Sequence, residues 1–229
     1  MIRMDREAAP DWIPIFPLEN VVLFPKVRVP LHIFEPRYRQ MTGEAISGHG
    51  RIGMVTTLPE HAGAGGPIPP VFTIGCEGQI GEHERLPDGR YNIVLFGMGR
   101  FRILEEKEPD EERAFRIARI ERLGEISPAS AAEHQEIAVQ RGEIIDRLGE
   151  WIRRTREEED PNISEDLLRP FDDETFVNLL SQSVDFDPAE KQALLECDAI
   201  SQRIAQLNGL LRFRLSEPAQ AKTGRPSLH

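Results

Sequence analysis

The chain opens with short apolar runs that are interrupted by prolines. Residues 13–41 have the sequence IPIFPLENVVLFPKVRVPLHIFEPRYRQM. Proline lacks the backbone N–H that a strand ladder uses, and it favours extended geometry in the residue before it. The pattern therefore predicts edge strands separated by bends, followed by a short helix that begins at Pro36.

Alternating apolar residues flank a turn sequence, Pro87-Asp88-Gly89, further along the first half. The flanking apolar residues are Ile74, Cys76 and Ile80 on one side and Tyr91, Ile93 and Leu95 on the other. Successive side chains of a strand point to opposite faces, so this pattern around turn residues predicts a long β-hairpin. With further strands over residues 51–58 and 114–123, we expect a curled, mostly antiparallel sheet.

The spacing of apolar residues changes near residue 127. From there they recur every three or four positions, which is typical of helices with one buried face. Ser127 with Pro128 is interpreted as the start of the first helix, and Ser164, Asp172 and residues 187–190 as the starts of later ones. In the last helix, Arg203 is expected to face solvent.

The change in spacing predicts an α+β fold, in which an N-terminal curled β domain is followed by a C-terminal helical bundle. The predicted parts are an N-terminal extension (1–12), a β-rich subdomain (13–125), a helical bundle (126–215) and a mobile tail (216–229). The tail is predicted to be mobile because it has two prolines and almost no apolar residues.

The overall charge changes the range of partners that we expect. The 28 Lys and Arg residues are outnumbered by 39 Asp and Glu residues, for a net charge of −11. Such a field repels phosphate backbones, so we expect no nucleic-acid partner. The two cysteines, Cys76 and Cys197, are far apart in sequence and are interpreted as reduced thiols.

No apolar run approaches the roughly 20 residues that a membrane-spanning helix needs. The first residues, MIRMDREAAPDW, carry acidic side chains and lack the apolar centre of a signal peptide. We therefore expect a cytoplasmic protein without a membrane partner.

Three segments resemble the N-terminal, substrate-binding domain of Lon-type ATP-dependent proteases. The first is residues 13–41, whose FEPRYR is similar to stand-alone bacterial members and to the Lon-like domains of eukaryotic ubiquitin-ligase components. The second is VFTIGCEGQIGEHERLPDGRYNIVLFGMGRFRI at residues 71–103, and a looser third is KQALLECDAISQRIAQLNGLL at residues 191–211. Their order and spacing extend the resemblance over most of residues 13–215.

The resemblance implies a β domain similar to the PUA-like (pseudouridine synthase and archaeosine transglycosylase) fold. It also implies a non-catalytic module that binds unfolded or degron-bearing proteins. Such a module can act as an adaptor in protein quality control, with a separate ATP-dependent protease as partner. These implications come from the family likeness and not from composition or spacing.

Motifs for catalysis are missing from the sequence. The chain has no GxxxxGK[ST], GxSxG, HExxH or SxxK, and the glycine-rich loop at residues 63–67 has no lysine. The six histidines lack metal-ligand spacing, although Glu82-His83-Glu84 offers a weak cation site. We therefore expect no catalytic residues, cofactor or metal. A peptidase or hydrolase and a weakly RNA-binding PUA-like module remain the alternatives.

A candidate peptide-binding site lies at the start of the helix predicted from Pro36. Glu35, Arg37 and Tyr38 combine an acid, a guanidinium and a phenol that can recognise a peptide's backbone or charges. The favoured alternative is a structural lock, in which Glu35 lies at the positive helix end and pairs with Arg37. Aromatic residues in this half are interpreted as core: Phe24, Phe34, Tyr38, Phe72 and Phe96.

Overall fold

The computed structural model describes residues 12–61, 68–155, 168 and 170–216, with side chains omitted at 151–155. These residues form two compact units. One comprises residues 12–124 and Asn178–Glu196, and the other comprises residues 125–177 and 197–216 within the described ranges. Residues 178–196 thus belong to the first unit, although the sequence analysis assigned them to the helical part. The predicted extension and tail lie outside the described residues, except for Trp12 and Ser216.

Six strands of the first unit form one sheet with the order β2-β5-β4-β3-β1-β6. The strands are β1 (Trp12–Leu18), β2 (Arg28–Ile33), β3 (Arg51–Thr56), β4 (Ile74–Arg85), β5 (Tyr91–Lys107) and β6 (Ile117–Arg122). Strand β6 also pairs with β5, so the sheet closes on itself and leaves β2 at an edge. Only the β1–β3 pairing is parallel among these strands. The predicted curled, mostly antiparallel sheet is confirmed.

The predicted hairpin is formed by β4 and β5. Ile80 pairs with Leu95, and Arg85 pairs with Tyr91 beside the turn. Gly89 has a φ of 83°, which a glycine adopts without steric cost. The predicted helix after the opening strands is also confirmed, as α1 (Pro36–Ser47) with proline in its first turn.

The prediction that the opening strands lie at sheet edges is wrong for β1. Its beginning pairs with β6, where Pro14 lies opposite Ile117, and its end pairs with β3, where Pro17 lies opposite Val55. The strand changes partner between these prolines, so neither proline has to donate hydrogen bonds to neighbours on both sides. Strand β2 is the edge strand that the prolines predicted.

Gly97 allows a tight approach between β5 and the turn before β2. Its N–H donates to the Val27 carbonyl at 2.9 Å, and its own carbonyl accepts from the Lys26 N–H at 2.7 Å. A Cβ at this position would collide with the carbonyl oxygen of Phe24 and lie 2.8 Å from its carbonyl carbon. Because backbone atoms cannot move aside cheaply, the position requires glycine.

A buried carboxylate joins three strands of the sheet. Glu77 on β4 accepts hydrogen bonds from Arg122 Nε at 2.8 Å and from Arg51 Nη1 at 3.0 Å. Burial raises the pKa of Glu77, but the hydrogen bonds from Arg122 and Arg51 outweigh burial and hold that pKa below its ordinary value. The ionised carboxylate therefore links side chains of β3, β4 and β6.

Four further helices have described bounds: α2 (Ala131–Thr155), α3 (Asp173–Ser183), α4 (Pro188–Glu196) and α5 (Ile200–Ser216). The predicted start of α2 at Ser127 is wrong, because the Ser130 hydroxyl accepts from the Glu133 N–H and Glu133 accepts from the Ser130 N–H. This capping box begins the helix at Ala131. The predicted starts at Asp172 and Asp187 are confirmed, and the predicted start at Ser164 lies outside the described residues.

The prediction that Arg203 faces solvent is wrong, because its side chain is fully buried. Its Nη2 donates to Glu125 Oε2 at 3.0 Å and to the Cys197 carbonyl at 2.9 Å. A charged group tolerates burial when it is paired and hydrogen-bonded. Cys76 and Cys197 are both free thiols.

Helices of the described part of the chain are too short or too polar to cross a bilayer.

Gly97→Ala tests the close approach at β5. We expect it to lower the free energy of unfolding by about 2 kcal/mol or more, because the added methyl group meets backbone atoms. Gly99→Ala is the matched control, since a Cβ at Gly99 meets nothing within 4 Å. Urea denaturation measures both values. Equal stability of the two variants would contradict the proposed collision.

Glu77→Gln tests the buried carboxylate. The pKa of Glu77 is lowered in the folded state from an ordinary value of 4.5, so its contribution is complete above about pH 4.5 and is lost as pH falls through the folded pKa. We expect the variant to be about 1–3 kcal/mol less stable at pH 7, and this difference to shrink towards pH 3. Denaturation at several pH values measures it.

Glu121→Gln is the control for this series, because Glu121 is half exposed and pairs with Arg102 at the surface. The Glu121→Gln substitution should change the free energy of unfolding by less than about 0.5 kcal/mol at every pH. A stability difference for Glu77→Gln that does not change with pH would contradict an ionised, hydrogen-bonded Glu77.

Candidate functional site

The three predicted site residues lie together at the start of α1. Glu35 is the N-cap residue, and its carbonyl accepts from the Tyr38 and Arg39 N–H groups at 3.0 and 2.9 Å. Its side chain makes no capping bond. Instead, Glu35 Oε2 accepts from both Nε and Nη2 of Arg37 at 2.9 Å. The pair is one-third to two-fifths exposed, so either partner can be reached from solvent.

Tyr38 belongs to the core beneath this ion pair. Its ring centroid lies 4.5 Å from that of Phe16, and the Arg37 guanidinium carbon lies 4.5 Å from the Tyr38 ring centroid. Burial raises the pKa of the Tyr38 phenol, and the charge of Arg37 opposes that shift. Tyr38 is therefore a core residue, whereas Glu35 and Arg37 are the charged groups of this junction that solvent reaches.

A narrow cleft opens beside Arg37 and Tyr38, and we call it the junction cleft. Its lining comprises Ile15, Pro17, Arg37, Tyr38, Pro69, Pro109, Ala114, Phe115 and Arg116. The free volume is about 10 Å³, which is about the space of one water-sized oxygen atom. The cleft is too small for an amino-acid side chain, but it can take the tip of a polar group.

A larger groove of about 560 Å³ runs over the outer face of β2, β5 and β4. We call it the outer-face groove, and its lining residues are Pro30, Leu31, His32, Glu82, His83, Glu84, Asn92, Ile93 and Val94. The polar groups at one end are connected, because Asn92 bonds to His32 at 2.8 Å and donates to Glu84 at 3.3 Å. The lining thus combines apolar surface with two carboxylates, and the Arg90 guanidinium lies 3.2 Å from His32 Nε2 at its margin.

Exposed aromatic and sulfur-containing side chains extend this apolar surface. Phe34 is 61% exposed and stacks on His32, while Phe96 and Met98 are 37% and 48% exposed. Val94, Phe96 and Met98 alternate with buried Ile93 and Leu95 along β5, so they share the outer face. The result is a row of apolar side chains in contact with solvent.

The interpretation of the aromatic residues as core is confirmed for Phe24 and Tyr38 and wrong for Phe34 and Phe96. Phe72 is half-buried. The alternation of side chains along β5 could have predicted the exposure of Phe96: if Ile93 and Leu95 face inwards, residue 96 must face outwards. Phe34 follows the end of β2 and has no strand neighbour to cover it.

The free edge of β2 is poorly suited to adding another strand. Val27 uses its carbonyl to accept from Gly97 on β5, and along the strand every second residue turns its backbone groups away from β5. Pro30 lies at one of these outward positions and has no N–H to donate. A proline on an edge strand blocks regular strand addition.

The helical unit has its own cleft, of about 350 Å³, between α2 and α5. Its polar residues bond to one another: Glu143 accepts from Arg147 at 2.9 Å and from Asn208 at 2.8 Å. These hydrogen bonds, from Asn208 first and then Arg147, lower the pKa of Glu143. A cleft with such satisfied polar walls offers little to an apolar ligand.

Among the described residues, no three His, Cys, Asp or Glu side chains converge in a way that could hold a metal ion. The Glu82-His83-Glu84 segment lines the outer-face groove instead. The expectation that the chain has no cofactor stays a prediction.

Comparison with known protein families shows to which family this chain belongs. The family described as the ATP-dependent protease La (LON) substrate-binding domain matches residues 12–212. The chain belongs to this family, as the three sequence segments indicated.

Relatives with the name Lon protease share this region. The protein from Cytophaga hutchinsonii is 27% identical over 209 residues, which are 91% of this chain and 25% of the relative. The Escherichia coli protein is 23% identical over 203 residues, or 89% of this chain and 25% of the relative. The chain therefore spans about a quarter of the length of these relatives.

Two solved structures share the fold. The N-terminal domain of a Mycobacterium avium complex Lon protease has a TM-score of 0.67 and 15% identity, with 88% of this chain and 98% of that chain covered. The Lon N-terminal domain protein from Xanthomonas campestris has a TM-score of 0.58 and 18% identity, with 86% and 97% covered. The mostly β-sheet first unit, with some helices, matches this fold.

Tyr38→Ala and Arg37→Ala separate the structural and recognition roles of the α1 junction. Tyr38→Ala should lower the free energy of unfolding by about 3 kcal/mol, because a buried aromatic ring is removed. Arg37→Ala should cost less than about 1 kcal/mol, because its ion pair with Glu35 is partly exposed. Urea denaturation measures both. A larger loss for Arg37→Ala than for Tyr38→Ala would contradict this division.

Proposed function

We propose that this chain is a non-catalytic module that binds unfolded or degron-bearing protein segments. Membership of the substrate-binding family supports the class of function. The observation that carries the proposal is the row of exposed apolar side chains beside the outer-face groove. Isolated exposed apolar residues are ordinary, but several of them at the margin of a groove are typical of a binding site.

The chemistry of the groove favours one kind of segment. Apolar side chains can pack on Pro30 and Val94 and against the exposed rings of Phe34 and Phe96. Glu82 and Glu84 supply negative charge at the same surface. The segments best suited to it therefore combine apolar residues with Lys or Arg.

The mode of binding follows from the edge of β2. Because Pro30 interrupts the donors of that edge, a bound segment gains little from main-chain pairing with it. Side-chain packing in the outer-face groove therefore supplies most of the affinity. This differs from strand addition, in which backbone hydrogen bonds give affinity.

We propose that the chain serves as an adaptor in protein quality control, and that a separate ATP-dependent protease acts on the bound proteins. The organisation into a PUA-like β subdomain at 13–125 and a helical bundle at 126–215, and a role for Glu35, Arg37 and Tyr38 in peptide binding, belong to the same proposal.

Replacing both exposed phenylalanines tests the outer-face groove. The double variant Phe34→Ser/Phe96→Ser should bind fluorescently labelled unfolded casein at least about tenfold more weakly, because two apolar anchors are lost. Phe213→Ser is the matched control, because Phe213 lies on α5 in the other unit and is 57% exposed. Its affinity should stay within about twofold of wild type. Fluorescence anisotropy measures the affinities.

Casein cleavage and RNA binding distinguish the two alternative functions. Wild-type protein should leave casein intact with and without ATP, and cleavage that follows this protein through purification would support the peptidase alternative. Salt-sensitive binding of structured RNA would support the RNA-binding alternative. Equal casein affinity of the double variant and wild type would contradict binding at the outer-face groove.

A further inference from the structure

A buried guanidinium at the junction cleft has a donor without an acceptor. Arg116 lies between Phe115 and the start of β6, and its side chain is 8% exposed. Its Nη1 pairs with Glu106 Oε2 at 3.1 Å. Its Nη2 is buried and has no hydrogen-bond partner among the described residues. Buried charged donors are almost always satisfied, so this one requires an explanation.

The surroundings of Arg116 are suited to an incoming acceptor. Arg116 lines the junction cleft together with Arg37, and the free volume of about 10 Å³ fits one oxygen atom. Three prolines, at positions 17, 69 and 109, also line the cleft and bring no N–H groups of their own. The guanidinium groups are therefore the strongest donors that the cleft offers.

We propose that the junction cleft binds one carboxylate oxygen of a protein segment, with Arg116 as the principal donor and Arg37 as the outer one. This inference rests on the proposed function, because it assigns a second contact to the same class of ligand. The carboxylate is either the C-terminal group of the segment or an Asp or Glu side chain within it.

A carboxylate fits better than other acceptors for two reasons. Hydrogen bonds between a guanidinium and a carboxylate are stronger than those to a neutral carbonyl, so they repay the burial of Arg116 more fully. Arg37 is held by Glu35 in a pair that is partly exposed, and such pairs exchange partners at little cost.

Three labelled ten-residue peptides test the proposal on the intact chain. All carry the same apolar and basic residues: one has a free C-terminal carboxylate, one is amidated, and one is amidated with an internal Glu. We expect the wild-type protein to bind a carboxylate-bearing peptide at least about tenfold more tightly than the amidated neutral one. Preference for the first identifies the C-terminal group, and preference for the third identifies the acidic side chain.

Arg116→Gln should abolish the preference for carboxylate while leaving the affinity for the amidated neutral peptide within about twofold. Arg119→Gln is the matched control, since it removes the same charge from β6 at a half-exposed position paired with Glu105. It should keep the preference. The comparison of peptides on wild-type protein needs no variant, so a destabilised Arg116→Gln protein does not prevent the test.

Equal affinity of the wild-type protein for all three peptides would overturn this inference and leave the groove proposal standing. A carboxylate preference that persists in Arg116→Gln would also overturn it. Failure of every peptide and of unfolded casein to bind would overturn both proposals together.

Discussion

Strand β5 is the element on which the rest of the first unit depends. It is 17 residues long and pairs with β2 near its start, with β4 along much of its length and with β6 near its end. The strand can do this because its register shifts relative to β4 beside Gly97 and Gly99, and relative to β6 after Ile103. Such irregularities bend a strand and increase its twist, which allows the sheet to close.

The same strand determines which side chains reach solvent. Inward-facing Ile93 and Leu95 fix the phase of β5, and that phase places Val94, Phe96 and Met98 on the outer face. A one-residue change of register would exchange the two sets. The pairing of β5 with β2 and β4 therefore also builds the apolar surface beside the outer-face groove. Fold stability and the candidate binding surface have a common origin here.

Charged residues inside this unit illustrate two different outcomes of burial. Glu77 is fully bonded to Arg51 and Arg122, and its lowered pKa follows from those bonds. Arg116 has one of its donors paired with Glu106 and another without a partner in the part of the chain that the structure describes. A satisfied network of the first kind is expected to stabilise the fold. For the half-satisfied group, a ligand oxygen is the acceptor that we propose.

Much of the fold follows from local patterns in the sequence, and the errors have physical causes. The turn at Gly89 and the cap residues Asp172 and Asp187 interact only with residues that are near in sequence. The sequence alone therefore predicts the hairpin and the helices that begin at these residues. The partners of β1 and the pairing of Arg203 with Glu125 depend on contacts that are distant in sequence. For the candidate site, the grouping of Glu35, Arg37 and Tyr38 was predictable, whereas the unpartnered donor of Arg116 was not.

Site-specific crosslinking measures whether unfolded protein segments bind at the outer-face groove. A photoreactive phenylalanine analogue is placed at Phe96 in one sample and at Phe213 in another, and each is irradiated with unfolded casein. The account predicts abundant crosslinks from position 96 and few from position 213. Crosslinks mainly from position 213, or equal yields from both, would contradict it.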